Sequence, residues 1–196
     1  LPQIQALLPR DLPMDRFQAG LWLQFSLTPR LAECTPASME RAIIRAATLG
    51  LEPGRDCCIL PFRTRRGNGT EATLVEEYQG ILRRLDRTGR IAWAKAEAVF
   101  MRDHFLCDEL AEVYEFRRHL GGDRGPLVCY FSAVKVRGDD KPLVRVCTLE
   151  EVAEVKRTMG REEYEAWVRW PHEMGKKTAL KRQAKYLRLL DEQEEG

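Results

Sequence analysis

Leu127–Val136, LVCYFSAVKV, is followed by the turn Gly138-Asp139-Asp140 and by Leu143–Leu149, LVRVCTL; this is the stretch that decides the fold. Two runs rich in β-branched and aromatic residues, joined across a Gly-Asp turn, read as neighbouring strands. Val113–Phe116, VYEF, reads as another strand ahead of them. Behind them, Thr148 and Glu151 stand at capping-box spacing and open a helix through about Arg157. Upstream, Thr35 as N-cap, Pro36 at the first helical position and Gly50 as the stop frame a helix that turns Met39, Ile43, Ala46 and Ala47 inward. Cys57–Phe62, CCILPF, reads as a short strand, Arg63–Gly69, RTRRGNG, as a turn with Asn68-Gly69 as a hairpin signal, and strand character resumes at Ala72–Val75. A helix near Tyr78–Thr88 ends at Gly89. Ile91–Met101, IAWAKAEAVFM, reads both ways, because its alanines favour a helix and its neighbours favour a strand. Asp103–Asp108 reads as a polar loop. The order of helix, strands with one helix inserted, then helices predicts an α+β fold with an antiparallel β-sheet packed against helices.

Working outward, residues 1–34 read as an N-terminal helical segment and a candidate oligomerisation element, 35–190 as the core, and 191–196 as an acidic tail. With 196 residues, 44% hydrophobic and 32% charged, the composition is that of a folded globular chain. No apolar run reaches the roughly 18 residues of a membrane span. The opening LPQIQALLPR lacks the pattern of a signal peptide. Six cysteines (Cys34, Cys57, Cys58, Cys107, Cys129, Cys147) form no CxxC pair and are expected as free thiols in a reducing compartment, here the cytoplasm.

The net charge of +2 argues little by itself, but the charges are segregated. Acids gather at Glu150, Glu151 and Glu154, at Glu162, Glu163 and Glu165, and from Asp191 to Glu195. Between Lys176 and Arg188 stand six cations (Lys176, Lys177, Lys181, Arg182, Lys185, Arg188) and no acid. On a helix, Lys177, Lys181, Lys185 and Arg188 share one face, while Ala179, Leu180, Tyr186, Leu187 and Leu190 lie opposite and suit packing. The bland reading is a solvated outer face. Against it stand the missing acids and the missing Glu–Lys pairing that an ordinary exposed helix would use, and they favour an anionic partner with repeated phosphates. Arg63, Arg65 and Arg66 on their Gly-rich turn read equally as a phosphate clamp or a solvated tip. Arg83, Arg84 and Arg87 offer a second row. Of Tyr78, Trp93, Phe100, Phe105, Trp167 and Trp170, one or two are expected to stack on bases and the others to be core.

Enzyme signatures are missing. No GxxxxGK[ST], GxSxG or HExxH occurs. Asp103, His104, Cys107, Asp108 and His119 are the best metal cluster available, and they lack the paired spacing of a structural zinc site.

The ordered set of motifs is more specific than any one of them. ASMERAIIRAATLGLEP, ILPF, Tyr78-Gln79-Gly80 followed by RRLDRTG, then VFMRD, DRGPLVCYFSAVKV, and finally Trp167, Pro171 and Met174 ahead of Lys176-Lys177-Thr178 resemble the RecT family of phage and prophage annealing recombinases. The phage lambda Redβ protein, a distant relative, shares the W-x3-P-x2-M frame. The resemblance runs over about residues 30 to 190 and implies single-stranded DNA binding and ATP-independent annealing of complementary strands in recombination. It also implies an annealed duplex intermediate, self-assembly into rings or helical filaments, and a partner exonuclease. It implies no covalent catalysis and no cofactor, with magnesium only a candidate modulator. It places Lys176, Lys177, Thr178 and Lys185 against phosphates, joined by Lys181 and Arg182 of the same helix. Arg63, Arg65 or Arg66 fall at the basic hairpin, Tyr78 and Gln79 in the Tyr-x-Gly motif, Arg87 before its Gly turn, and Arg83 in the row between. Glu76 and Glu77 depart from the aliphatic strand usual before that motif, Ala92–Ala98 is unusually alanine-rich, and the C-terminal partner-binding segment common in the family is absent or truncated. Three other readings stay open: a single-strand binder that does not anneal, a metal-dependent nuclease using Asp103 and Asp108, and a scaffold whose basic helix binds an acidic protein.

Overall fold

The computed structural model describes residues 2–64, 69–110, 113–158 and 165–186. The chain divides by internal contacts into two units, residues 1–84 and 85–196.

In the first unit, helices α1 (Pro2–Leu7), α2 (Met14–Leu27) and α3 (Pro36–Thr48), with a 3-10 turn at Pro29–Glu33, precede the strands β1 (Cys57–Arg63) and β2 (Thr70–Glu76). The strands pair antiparallel from Cys57↔Glu76 to Arg63↔Thr70, as the sequence predicts for the segments on either side of 65–68, which lie outside the described residues. Thr35 caps α3, its hydroxyl accepting from the Ser38 N–H at 3.3 Å. Ala42, Ala46 and Ala47 face inward beside half-buried Met39 and Ile43. Two buried polar side chains tie helix to hairpin: Gln24 Oε1 accepts from the Ile59 N–H at 2.9 Å, and Ser38 Oγ accepts from the Ala72 N–H at 3.0 Å. Around them Leu12, Phe17, Leu51 and Cys57 form one apolar cluster, and Leu31, Ala42, Ile59 and Ala72 another. Helix α4 (Tyr78–Arg87) then carries the chain from the first unit into the second.

The second unit is built on a three-stranded antiparallel sheet ordered β3 (Ile91–Phe100), β6 (Leu127–Val136), β7 (Leu143–Thr148). A hairpin of β4 (His104–Asp108) and β5 (Val113–Arg117) covers one face. Helices α5 (Leu149–Thr158), α6 (Glu165–Arg169) and α7 (Pro171–Tyr186) cover the other. Central β6 is buried from Cys129 to Val134, which explains its nearly unbroken apolar run. Its side chains alternate between two cores. Phe131 meets Phe105 at 4.9 Å, Phe116 at 5.1 Å and Tyr114 at 5.4 Å under the hairpin. Tyr130 packs with Ala98, Cys147, Val152, Trp167 and Ala179 under the helices.

The two-valued segment 91–101 is a strand over Ile91–Phe100. Ala96 and Ala98, both buried, are the reason its alanines do not make it helical: small side chains let α7 lie close over β3. The expectation of a polar loop at Asp103–Asp108 is corrected, because His104–Asp108 is β4, a short strand alternating exposed and half-buried residues. Thr148 and Glu151 make both capping-box bonds, 2.9 and 3.2 Å. No described helix is long and apolar enough to cross a membrane.

Candidate nucleic-acid interface

Helix α7 carries the basic row, and the docking of its inner face sets how the row is displayed. Gly175, Ala179, Leu180, Gln183 and Ala184 are buried. Gly175 must lack a side chain here, since a Cβ would lie 2.1 Å from Tyr130 Cζ. The Ser132 hydroxyl donates to the Ala179 carbonyl at 3.0 Å, and Gln183 Nε2 donates to the Leu143 carbonyl at 2.6 Å. These bonds join α7 to β6 and β7. With that face down, Lys177, Lys181 and Lys185 fall on the opposite arc one turn apart, half-buried for the first two and exposed for the last. Lys156 lies 5.0 Å over the ring of buried Trp167, adding a cation beside the same helical layer.

Two expectations about this helix are corrected. The run is not without carboxylate partners: Lys176 pairs with Glu173 at 2.6 Å and Arg182 with Glu151 at 3.1 Å. The acids come from one turn upstream and from α5, outside the stretch whose composition suggested isolation. Tyr186, expected on the packing arc, is 72% exposed. Gln183 and Ala184 take the buried positions of that turn. Thr178 back-bonds to the Met174 carbonyl at 2.9 Å. Leu187, Arg188 and Leu190 lie outside the described residues, as does the tail 191–196.

Elsewhere the predicted cations part ways. Arg63 is exposed at the end of β1, while Arg65 and Arg66 lie outside the described residues. Arg83 is held within the first unit, its guanidinium 2.8 Å from Asp56 and 3.7 Å from Glu52. Arg84 is buried against Glu76 at 3.2 Å. That pair gives Glu76, the departure noted before the Tyr-x-Gly motif, a structural role. Gln79 is exposed and Tyr78 half-buried at the start of α4. The glycine that follows is required by packing, because a Cβ on Gly80 would come 2.2 Å from the Asp56 carbonyl oxygen. Arg87 is half-buried at the end of α4.

Among the aromatics, Trp167 is core, Phe105 lies against Phe131, and Phe100 is covered by the Arg124 guanidinium at 4.2 Å. Trp170 and Trp93 remain exposed, at 57% and 39%. Trp93 has basic company that sequence reading missed. Lys95 Nζ lies 5.1 Å over its ring, and Lys135 sits directly across the β3–β6 pair. Only strand register reveals that grouping, since Lys135 is distant in sequence. It falls on the hairpin side of the sheet, where Lys95 also approaches Tyr114 at 5.7 Å.

The acids proposed for metal chemistry are otherwise engaged. The side chain of Asp103, shielded from solvent, receives two bonds from Arg124, one of them 3.0 Å, and backbone N–H bonds at 2.9 Å from Phe100 and His119. Burial alone would raise its pKa, but the guanidinium and the two N–H groups outweigh it and hold the carboxyl at about 2. Asp108 closes a turn by accepting from the Leu110 N–H at 3.0 Å. Among the described residues, no group of three or more His, Cys, Asp or Glu is placed to hold a metal ion.

A model of the RecT family matches residues 15–194. The chain is 26% identical to protein RecT of Escherichia coli strain K12 over 190 residues, 94% of this chain and 70% of that protein.

Proposed function

Because this chain belongs to the RecT family, whose members are generally non-catalytic proteins of single-strand annealing and recombination, we propose that it binds single-stranded DNA along α7 and pairs complementary strands without ATP. The observation that carries the reading is the docked α7: one face is locked to β6 and β7, and Lys177, Lys181 and Lys185 repeat along the other. Lysine is a point charge on a flexible stem, suited to phosphates in any sequence. A strand held by its backbone leaves base edges open for a second strand to test. Pairing then adds on the order of 1.4 kcal/mol per stacked step, which drives annealing with no covalent chemistry. Repeated subunits, as a ring or helical filament, align many short sites on one strand and raise the effective concentration of complementary segments. A partner exonuclease supplies the exposed strand, and magnesium is a candidate modulator of the grip.

The test is equilibrium binding of a labelled oligonucleotide over a range of salt. A phosphate-gripping helix gives a linear fall of log affinity with log salt, at about 0.7 per phosphate neutralised. A flat salt response would reject the helix as a backbone grip. Cleavage of the oligonucleotide with magnesium present would favour the nuclease reading instead.

A further inference from the structure

Trp93 reaches the surface through an irregularity in β3. Ile91 pairs with Val136 and Trp93 with Lys135, so the ladder slips by one residue and Ala92 is the extra one. Val136 and Lys135 are neighbours and point to opposite faces of the sheet. The bulge therefore buries Ile91, 2% exposed, and turns Trp93 onto the hairpin face, where 39% of it stays open. In a regular strand the two would share a face. The surface around the ring is basic. Lys95 Nζ lies 5.1 Å over it, and Lys135 stands across the ladder. One rung further, exposed Arg90 and Arg137 meet, the Arg137 N–H donating to the Arg90 carbonyl at 2.7 Å. Glu97, the acid of β3 on this face, is taken by Arg118 at 2.8 Å, and Asp139 and Asp140 follow in the turn beyond.

The lysine row of α7 arrives at this same end of the sheet. Gly175 sits on Tyr130, the Ala179 carbonyl accepts from Ser132, and Gln183 donates to Leu143, the ladder partner of Val134. From Gly175 to Gln183 the helix thus steps along β6 from Tyr130 to Val134, and the next rung is Trp93–Lys135. Lys185 stands at that end of the row. Trp93 lies on β3, an edge of the three-stranded sheet, so the path from the helix side to its ring runs round a sheet edge and not through the core.

We propose that the single strand held along α7 continues past Lys185 round the β3 edge, where Trp93 stacks on one of its bases and Lys95 and Lys135 hold the flanking phosphates. The inference rests on the single-strand reading above. An indole offers its π-face to any base, and lysines hold phosphates without reading sequence, so the contact adds affinity with no sequence preference. One base anchored beyond the row leaves the bases over α7 open to pairing. A base inside a duplex is already stacked on both sides, so this contact favours the single strand over the annealed product.

The experiment follows tryptophan fluorescence and anisotropy together while labelled oligo-dT, or an abasic sugar-phosphate chain of equal length, is added to the native chain, Trp93→Phe and Trp93→Ala. On the native chain oligo-dT should quench the fluorescence in step with binding, and the abasic chain should bind with little quenching. Trp93→Phe should lose most of the quenching and keep oligo-dT affinity within about threefold, since a ring remains to stack on. Trp93→Ala should weaken oligo-dT roughly tenfold and leave abasic affinity within about twofold. Circular dichroism checks that both variants fold, and Trp93→Phe keeps the test decisive if the alanine variant does not. Replacing Lys95 and Lys135 together by alanine should lower the salt slope by about 1.4 for either ligand. Quenching unchanged in Trp93→Phe overturns the stacking site and leaves the α7 grip standing. Failure of the native chain to bind either ligand would instead sink the single-strand reading itself. A poly-glutamate peptide that quenches Trp93 as strongly as oligo-dT would assign the patch to an acidic protein partner and overturn the base site.

Discussion

Gly175 lies so close to the ring of Tyr130 that a methyl group in place of its hydrogen would reach to 2.1 Å from Cζ. This contact is where α7 seats on the sheet. The Tyr130 hydroxyl lies 3.4 Å from the Pro171 carbonyl and 3.3 Å from His172 Nδ1, so the same ring holds the start of the helix. Gly175→Ala should therefore behave opposite to an exposed helix. There, alanine would add about 0.5–1 kcal/mol of stability; here overpacking should remove about 1–3 kcal/mol. A chemical denaturation midpoint measures the sign, and DNA affinity should fall with it because the lysine row loses its seat.

Replacing Lys177, Lys181 and Lys185 together by alanine should weaken single-strand binding and leave the fold in place, since all three lie on the arc away from the sheet. Loss of three phosphate contacts lowers the slope of log affinity against log salt by about 2. The quantity to read is the slope, measured on oligonucleotides of two unrelated sequences. Both should change alike, because backbone contacts carry no sequence information.

The Asp103–Arg124 pair should make the second unit acid-sensitive in a defined window. Its folded pKa of about 2 lies below the ordinary 3.8, so its contribution is fully present above about pH 4 and is lost as pH falls toward 2. Asp103→Asn should cost about 2 kcal/mol at neutral pH and flatten stability across that window. Denaturation midpoints taken at neutral pH and at about pH 3 decide it.

Arg83→Ala should destabilise the first unit by about 2 kcal/mol, because it leaves Asp56, 1% exposed, without its nearest cation. Thermal melting of the variant reads this directly.

Burial pushes the Cys129 and Cys147 thiols up to about 11, helped by the neighbouring Cys107 thiol at Cys129 and by Glu151 at Cys147, where Arg182 and Arg145 oppose the rise. Burial also hides them, so neither should react appreciably with a thiol reagent at neutral pH in the folded chain. Mass spectrometry should find both labelled only after denaturation.

The parts legible in the sequence were those whose causes are local. The Thr35 cap, the Thr148–Glu151 box and the β6–β7 hairpin each depend on residues a few positions apart, and each forms as the spacing predicts. β4 escaped notice because five residues with one strong aromatic give too short an alternation to separate from loop. The ion pairs escaped for another reason. Arg83 and Asp56 are 27 residues apart, Arg182 and Glu151 are 31 apart, and no period in the chain announces such meetings. A row of arginines and lysines thus read as uniform in sequence, while the fold sorts it into structural anchors and an outward row on α7. Likewise the glycine of Tyr-x-Gly was legible as part of a motif, but its cause, the Asp56 carbonyl 2.2 Å from a would-be Cβ, is tertiary.

The most direct test of the central claim is sequential annealing followed by energy transfer. One labelled oligonucleotide is bound first, and its labelled complement is then added without ATP. The account predicts rapid, protein-bound pairing that fails with a non-complementary strand and slows sharply when Lys177, Lys181 and Lys185 are replaced. Tight binding of the first strand with pairing no faster than in free solution would contradict it and leave a single-strand binder that does not anneal.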